Sequence, residues 1–280
     1  MIIAVASGKG GTGKTTVAVN LALSIDNALL LDCDVEEPND HLLIQPRINE
    51  KKPVYVTVPN IKEEKCTFCG DCAKFCKFNA LFVAKGTIMV FPQLCTSCEG
   101  CKIVCKNDAI IYKTREIGEK ISGISDDVEL VFGQLNIGEP MAIPVIKAVK
   151  NAIFSEKKNN IIVDSPPGTT CPVIETVHGT DFVLLVTEPT PFGLHDLTIA
   201  VDAIKKLHIP FGVIINQADI GDLRVKDFCK KNSIPVLMEI PYNRKIAELY
   251  SIGKPFVKEM SEWKQKFKDL FKKIEGLVTI

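Results

Sequence analysis

Polar and apolar positions along the 280-residue chain fall into blocks that read as strands followed by helices. Residues 1–6 are almost wholly apolar, the pattern of a strand buried on both faces. Residues 17–23 then carry apolar positions at helical spacing. Short apolar runs at 28–31, 160–163, 181–187, 211–215 and 236–240 predict further buried strands, while 145–154 and 194–207 predict helices. Pro140 and Pro144 punctuate a helix start, and 188–191 (Glu-Pro-Thr-Pro) reads as a turn at a strand end. In the tail, 261–280, Trp263, Phe267, Leu270, Phe271 and Ile274 share one helical face with lysines opposite, as in a last helix packed on a sheet. Strands alternating with helices predict an α/β fold, a doubly wound, mainly parallel sheet with its ligand at the strand carboxyl ends.

One stretch interrupts this alternation. From 54 to 65 the composition turns extended and charged, and a cysteine run follows, Cys66-x2-Cys69-x2-Cys72-x3-Cys76. The whole run returns 29 residues later as Cys95-x2-Cys98-x2-Cys101-x3-Cys105. From about residue 111 the chain leaves through a second extended segment. Zinc ribbons use two cysteine pairs, not repeated four-cysteine runs. Four soft thiolates per run suit iron and supply the corners of a cubane cluster. The expected division is therefore a discontinuous domain, 1–59 and 114–280, with a small α+β module at 60–113 inserted in it.

Between the first strand and first helix lies Ser7-Gly8-Lys9-Gly10-Gly11-Thr12-Gly13-Lys14-Thr15-Thr16. Strand, glycine loop, Lys-Thr and helix make a P-loop. Its backbone N–H groups and the helix N-terminus cradle phosphate, Lys14 reaches the β- and γ-phosphates, and the Thr15 hydroxyl takes a place on Mg²⁺. The run 160–163 ends at Asp164, a Walker B acid for the same Mg²⁺, and Pro166-Pro167-Gly168 turns the chain after it. The run 28–31 ends at Asp32-Cys33-Asp34. Asp32 reads either as support for the Mg²⁺ region or as a helix cap.

With its early second lysine, Lys9, the loop resembles the deviant Walker A motif of the MinD/ParA/Mrp family of dimeric ATPases, relatives of the nitrogenase iron protein. That resemblance implies that Lys9 reaches a partner's nucleotide and that residues 35–40 form switch I. It makes Asp34 the carboxylate that orients the attacking water, also counted with Thr15 and Asp164 around Mg²⁺. It further implies that Gly168 offers its N–H to the γ-phosphate, that Asn216 hydrogen-bonds the adenine, and that Pro241 lies by the base. The cysteine runs resemble a bacterial two-cluster ferredoxin. This implies one [4Fe–4S] cluster on Cys66, Cys69, Cys72 and Cys105 and a second on Cys76, Cys95, Cys98 and Cys101. Lys77 and Lys106 stand where that pattern usually has proline, either raising a cluster potential, steering an acidic partner, or simply solvated. Cys171, seven residues after Asp164, matches the spacing of a cluster ligand in the nitrogenase iron protein. It is either an interface metal ligand shared with a partner subunit or a small packed residue.

Charge changes the picture little. Lys plus Arg and Asp plus Glu both number 34, so bulk electrostatics points to no nucleic-acid partner. No run of about 18 apolar residues is present, which argues against a membrane span; the tail helix, which in MinD holds membrane, reads here as packed on the sheet and so argues against membrane contact, and the first strand begins at Met1 with no room for a signal peptide. These features and 11 cysteines unsuited to disulfides predict a cytoplasmic protein. The excess of lysine over arginine fits genome composition or a thermophile. The four histidines, His41, His178, His195 and His208, show no ligand spacing.

The combination looks like MinD-superfamily ATPases with an inserted ferredoxin domain. That implies a Mg²⁺-dependent, slow ATPase, homodimeric or paired with a paralogue, acting on an acceptor metalloprotein or redox partner. Three functions follow as expectations: an ATPase for cluster or metal-cofactor assembly and delivery, an ATP-gated low-potential electron donor, and a positioning or redox-sensing regulator.

Overall fold

The computed structural model describes residues 1–126, 128–155 and 160–278. β1 (Ile2–Ala6) and α1 (Lys14–Ala22) lead to β2 (Ala28–Asp32), the short α2 (Asp40–Ile44) and the long β3 (Arg47–Ile61). The cysteine segment contributes α3 (Asp71–Phe75), β4 (Leu81–Ala84), β5 (Thr87–Val90) and α4 (Gly100–Ile103). β6 (Ile110–Ser125) and β7 (Val128–Leu135) return the chain to α5 (Ile143–Lys150), α6 (Ala152–Ser155) and β8 (Asn160–Asp164). The remainder is α7 (Cys171–Val177), β9 (Phe182–Thr187), α8 (Pro191–Lys206), β10 (Phe211–Asn216), α9 (Arg224–Lys231), β11 (Val236–Ile240), α10 (Arg244–Ser251) and α11 (Ser261–Val278).

Nine strands form one sheet in the order β11-β10-β9-β1-β8-β2-β7-β6-β3. From β11 to β7 every pairing is parallel, and β6 and β3 add antiparallel to the β7 edge. The period of two along each strand builds two cores. Ile3 and Val5 of β1 face one side with Ala28 and Leu30 of β2; Ala4 and Ala6 face the other with Leu29 and Leu31. α1 and α11 cover the first face, where Trp263, Phe267, Leu270, Phe271 and Ile274 are all buried. α5, α7, α8 and α9 cover the second. The expected last helix thus packs on the sheet through its predicted stripe; it ends at Val278, and 279–280 lie outside the described residues.

Two helices depart from expectation. α8 starts at Pro191, inside the predicted turn, because the Thr190 hydroxyl accepts the Gly193 N–H at 3.0 Å and a first-turn proline forfeits no helical bond. The helix expected over 145–154 begins at Ile143 and is interrupted at Asn151, giving α5 and α6.

The two extended segments flanking the cysteines form one antiparallel ribbon. β3 and β6 pair from Arg47↔Ile124 to Ile61↔Ile110. Only residues 118–125 of β6 also pair with β7, so the rest of the ribbon runs beyond the sheet with the cysteine segment at its tip. The expected boundaries, 59/60 and 113/114, both fall inside this ribbon. The tip repeats itself with the 29-residue period of the sequence. Lys62 N–H donates to the Ala109 carbonyl and Phe91 N–H to the Ala80 carbonyl, each at 2.8 Å. Short 3₁₀ turns at Glu63–Lys65 and Pro92–Leu94 precede the two runs. Its core is slight: Leu81, Cys101 and Ile110 are the buried members of the apolar cluster there.

Candidate functional site

The loop after β1 wraps a cavity of about 430 Å³ at the carboxyl edge of the sheet. Gly10, Gly11, Gly13, Lys14, Thr15 and Thr16 line one wall; Asn216, Gln217, Pro241, Tyr242 and Asn243 line the opposite one. Gly13 caps α1 at φ 89°, a conformation that penalises any side chain, and a Cβ there would run into the Asn216 amide. That amide donates to the Thr12 carbonyl at 2.9 Å and ties the loop to the end of β10. Gly8 lies against the Asp196 carbonyl of α8 with no room for a Cβ.

Lys14 Nζ is 2.8 Å from Asp164 Oδ1, and the Thr15 hydroxyl donates to Asp164 Oδ2 at 2.7 Å. Three residues predicted to meet at phosphate and Mg²⁺ therefore meet. Burial disfavours the Lys14 charge, but the hydrogen-bonded Asp164 outweighs it and holds the ammonium above its ordinary value. Gly168 N–H, expected to face the γ-phosphate, donates to the Ser7 carbonyl at 3.0 Å, tying the turn after β8 to the glycine loop. Lys9 does not point away from its own chain: it pairs with Glu188 at 3.5 Å, and Glu188 also accepts from Gln217 at 3.3 Å.

The acids separate into two roles. Asp32 is buried and accepts backbone N–H groups from Asp34 (3.0 Å), Asn39 (2.9 Å) and Asp40 (3.1 Å), so it holds the 35–40 loop in shape. Burial, with the neighbouring Asp164 charge, pushes its carboxyl up to about 7. Among the described residues, the set of three or more His, Cys, Asp or Glu ligand atoms lying within 4.8 Å of one another is Asp32, Asp40 and Asp164. Asp34, expected at Mg²⁺, is outside that set. It lines the phosphate end of the cavity instead, half-buried, and desolvation pushes its carboxyl up to about 6 against the pull of Lys14. Asp40 was missed as a site residue, although a signal existed: Asp40, Leu43 and Ile44 share the i, i+3, i+4 buried face of α2, and an acid on such a face calls for a reason. Gln217, Tyr242 and Asn243 were also missed; as loop residues after strand ends they carry no periodic signal.

At the ribbon tip, Cys66, Cys69, Cys72 and Cys105 line one small cavity, and Cys76, Cys95, Cys98 and Cys101 line another. All eight are free thiols. The last cysteine of each run joins the other run's set, because Cys76 and Cys105 sit at equivalent turns that cross over. Ala80 N–H donates to Cys76 Sγ at 3.4 Å and Ala109 N–H to Cys105 Sγ at 3.3 Å, in matching geometry. Thiolates around a single zinc lie roughly 3.8 Å apart, from a Zn–S bond of about 2.3 Å. Neither thiol set contains three sulfurs within 4.8 Å of one another.

The second set lies nearer the base of the ribbon. Ser97 Oγ donates to the Thr57 carbonyl at 2.6 Å, and Pro59 and Tyr112 line its cavity, where Ile61 and Ile110 line the other. Burial raises the Cys95 thiol above its ordinary value, and the Arg115 guanidinium is among the groups that oppose this. Arg115 grips Glu139 through both terminal nitrogens, while its buried Nε has no hydrogen-bond partner. Glu139 belongs to the loop after β7, where Asn136 N–H donates to the Ile117 carbonyl (2.9 Å), while Leu135 N–H, at the end of β7, donates to the Val35 carbonyl of the 35–40 loop (2.8 Å). Neither Arg115 nor Glu139 was singled out in the sequence, since their pairing spans 24 residues and joins two elements.

Cys171 is exposed at the first position of α7 and belongs to no set of three metal-binding side chains among the described residues. His41 stacks on Phe132 with ring centroids 4.9 Å apart, a packing role. No helix among the described residues is long and apolar enough to cross a membrane.

Comparison with known proteins places this architecture. Residues 3–256 match the model of the CobQ/CobB/MinD/ParA nucleotide binding domain. The uncharacterised protein MJ0579 of Methanocaldococcus jannaschii is 35% identical over 262 residues, covering 92% of each chain. An iron-sulfur cluster carrier protein of Pyrococcus abyssi is 24% identical over 274 residues, covering 91% of this chain and 78% of the carrier. Among solved structures, the septum site-determining protein MinD of Pyrococcus horikoshii, complexed with Mg-ADP, superposes with a TM-score of 0.62 at 20% identity, over 99% of this chain and 96% of that one.

Proposed function

Since the chain belongs to the CobQ/CobB/MinD/ParA nucleotide-binding family, we propose that it is a Mg²⁺-dependent ATPase whose nucleotide-driven dimer switching serves assembly or delivery of an iron–sulfur or metal cofactor. One observation carries this reading: a P-loop site and eight thiols grouped four and four stand on one continuous sheet and ribbon. Relatives named as iron-sulfur cluster carriers support it. Lys14 and the loop N–H groups bind phosphate, Thr15 and Asp164 hold Mg²⁺, and Asp34 stands where it can orient a water at the phosphate end. Asn216, Gln217, Pro241 and Tyr242 enclose the base. Lys9 leaves Glu188 to reach a partner's nucleotide when two chains close. The two thiol sets fit two [4Fe–4S] clusters by number, softness and spread, and such clusters would supply one-electron chemistry at low potential.

A second reading, an ATP-gated electron donor, is favoured by one specific feature. The Arg115 charge bears on Cys95, Arg115 pairs with Glu139, Glu139 N–H donates to the Asn136 carbonyl, and the preceding residue, Leu135, donates to Val35, so the inner thiol set stands one ion pair from the loop read as switch I. Nucleotide closure that moves switch I thereby alters the charge around that set. Anaerobic EPR redox titration of reconstituted protein, with and without MgATP, tests both readings. About eight iron atoms per chain in two interacting low-potential signals is the expected result. Potentials blind to nucleotide favour delivery, a nucleotide-dependent shift favours gating, and protein that assembles no cluster defeats both.

A further inference from the structure

Asp40 is the least expected charge in the molecule. It is wholly buried, and neither carboxylate oxygen has a hydrogen-bond partner. An ionised carboxylate removed from water without a partner is among the costliest groups a fold can hold. α2 nevertheless turns it inward with Leu43 and Ile44, so that one of its oxygens lies within 4.8 Å of oxygens of both Asp32 and Asp164. Those two are themselves 1% exposed.

The charges around this spot do not balance. Three carboxylates converge, and among the described residues Lys14 is the cation that bears on all of them. One ammonium against three carboxylates leaves a formal charge of about −2 out of contact with water, the charge one divalent cation cancels. The spacing also suits one. Around a six-coordinate Mg²⁺ with oxygens at about 2.1 Å, adjacent ligands are roughly 3 Å apart and opposite ones roughly 4.2 Å. Asp164 already accepts from Lys14 and Thr15, and Asp32 from three backbone N–H groups, yet each carboxylate has about four lone-pair sites and keeps capacity to ligate. Asp40 has all of its own free.

We propose that Asp40, with Asp32 and Asp164, holds a hard divalent cation, Mg²⁺ or Mn²⁺, beneath the phosphate loop before any nucleotide binds. Thr15 donates to Asp164 at 2.7 Å, so the cation waits beside the hydroxyl that meets nucleotide-bound Mg²⁺. Asp40 is then the residue that lets the site load without phosphate oxygens to complete it. The competing account is a proton on Asp40, which would also remove charge.

The proposal takes from the ATPase reading only its location, and the test keeps the two apart. Full-length protein, freed of nucleotide and treated with chelator, is titrated with Mn²⁺ alone, with free Mn²⁺ read by EPR and folding read by melting temperature. One Mn²⁺ per chain is expected, with a rise in melting temperature, and Asp40→Asn should weaken binding at least tenfold. Asn mimics a neutral carboxyl, so Mn²⁺ affinity unchanged in Asp40→Asn overturns the proposal, whether the ion sits on thiols or on Asp34. A wild-type chain that takes up no Mn²⁺ overturns it outright. Should the Asn variant not fold, Asp40→Ser must show the same tenfold loss. ATP hydrolysis is assayed on the same wild-type sample: Mn²⁺ uptake without turnover defeats the ATPase reading alone, and turnover without Mn²⁺ uptake defeats this one alone.

Discussion

The P-loop site and the cysteine tip are held together by opposite means. The loop that carries Lys14 is anchored by buried strands on both sides, by Asn216 on Thr12 and by Gly168 on Ser7. Its shape is a property of the sheet, and a ligand enters a place already made. The apolar cluster of the tip has only Leu81, Cys101 and Ile110 as buried members, with Phe75, Phe78, Phe82 and Ile103 exposed around it. On the proposed reading, metal–thiolate bonds there would replace the apolar burial that so short a segment cannot supply. One chain would then contain a site that precedes its ligand and a site that depends on it.

Lys14→Ala breaks the comparison from one side and has the largest expected effect. It removes the phosphate contact and leaves buried Asp164 without its cationic partner, so ATP turnover should fall at least 10³-fold in a phosphate-release assay, a loss of about 4 kcal/mol. Iron content should stay unchanged, since Lys14 lies on the sheet and not the ribbon. Loss of iron in this variant would mean that the tip depends on the loop after all.

Stripping iron with a chelator probes the other side. Hydrogen exchange should become fast across residues 62–109 while β1, β8 and β9 remain protected and nucleotide binding persists. An iron-free tip that keeps its protection would show that its few apolar contacts suffice.

A smaller effect sharpens the comparison between the two thiol sets. Arg115→Gln removes a cation from the inner set, while the equivalent position of the other run, 29 residues earlier, is Gly86. One of the two cluster potentials should fall, by about 40 mV for each kcal/mol of lost charge stabilisation, and the other should stay. Equal shifts in both would sink the inequivalence.

The smallest effect concerns pH. The fold raises the Asp32 carboxyl from 3.8 to about 7, so between those values the folded chain binds more protons than the unfolded one. In chelator and without nucleotide, stability should decline as pH rises through this window and level off above it. A fall of a few degrees in melting temperature from pH 5.5 to 8 is the expected size. A rising or flat profile would mean that the acids under the loop are solvated.

Much of this was legible in the residues themselves. The doubly wound sheet follows from apolar runs with period two, and α11 from a stripe with period 3.6, since both patterns are local and repeated. The repeated cysteine spacing marks a ligand set for the same reason. What escaped were single residues without periodic company. The long ribbon looked merely extended, because β3 and β6 carry charged residues outward and their pairing joins segments up to 77 residues apart.

By itself, the sequence determined where the backbone repeats, and so marked β1, β2, β8 to β11, α1, α8, α11 and the two thiol runs. Only the tertiary structure decided which further side chains meet across the gaps: Lys9 with Glu188, Arg115 with Glu139, and Asp40 with two other acids in one buried spot. The reason is physical. Periodicity records how each segment divides its faces between core and water, whereas a pair contact arises when folding brings distant positions within a few ångströms, and one residue of a pair does not reveal the other.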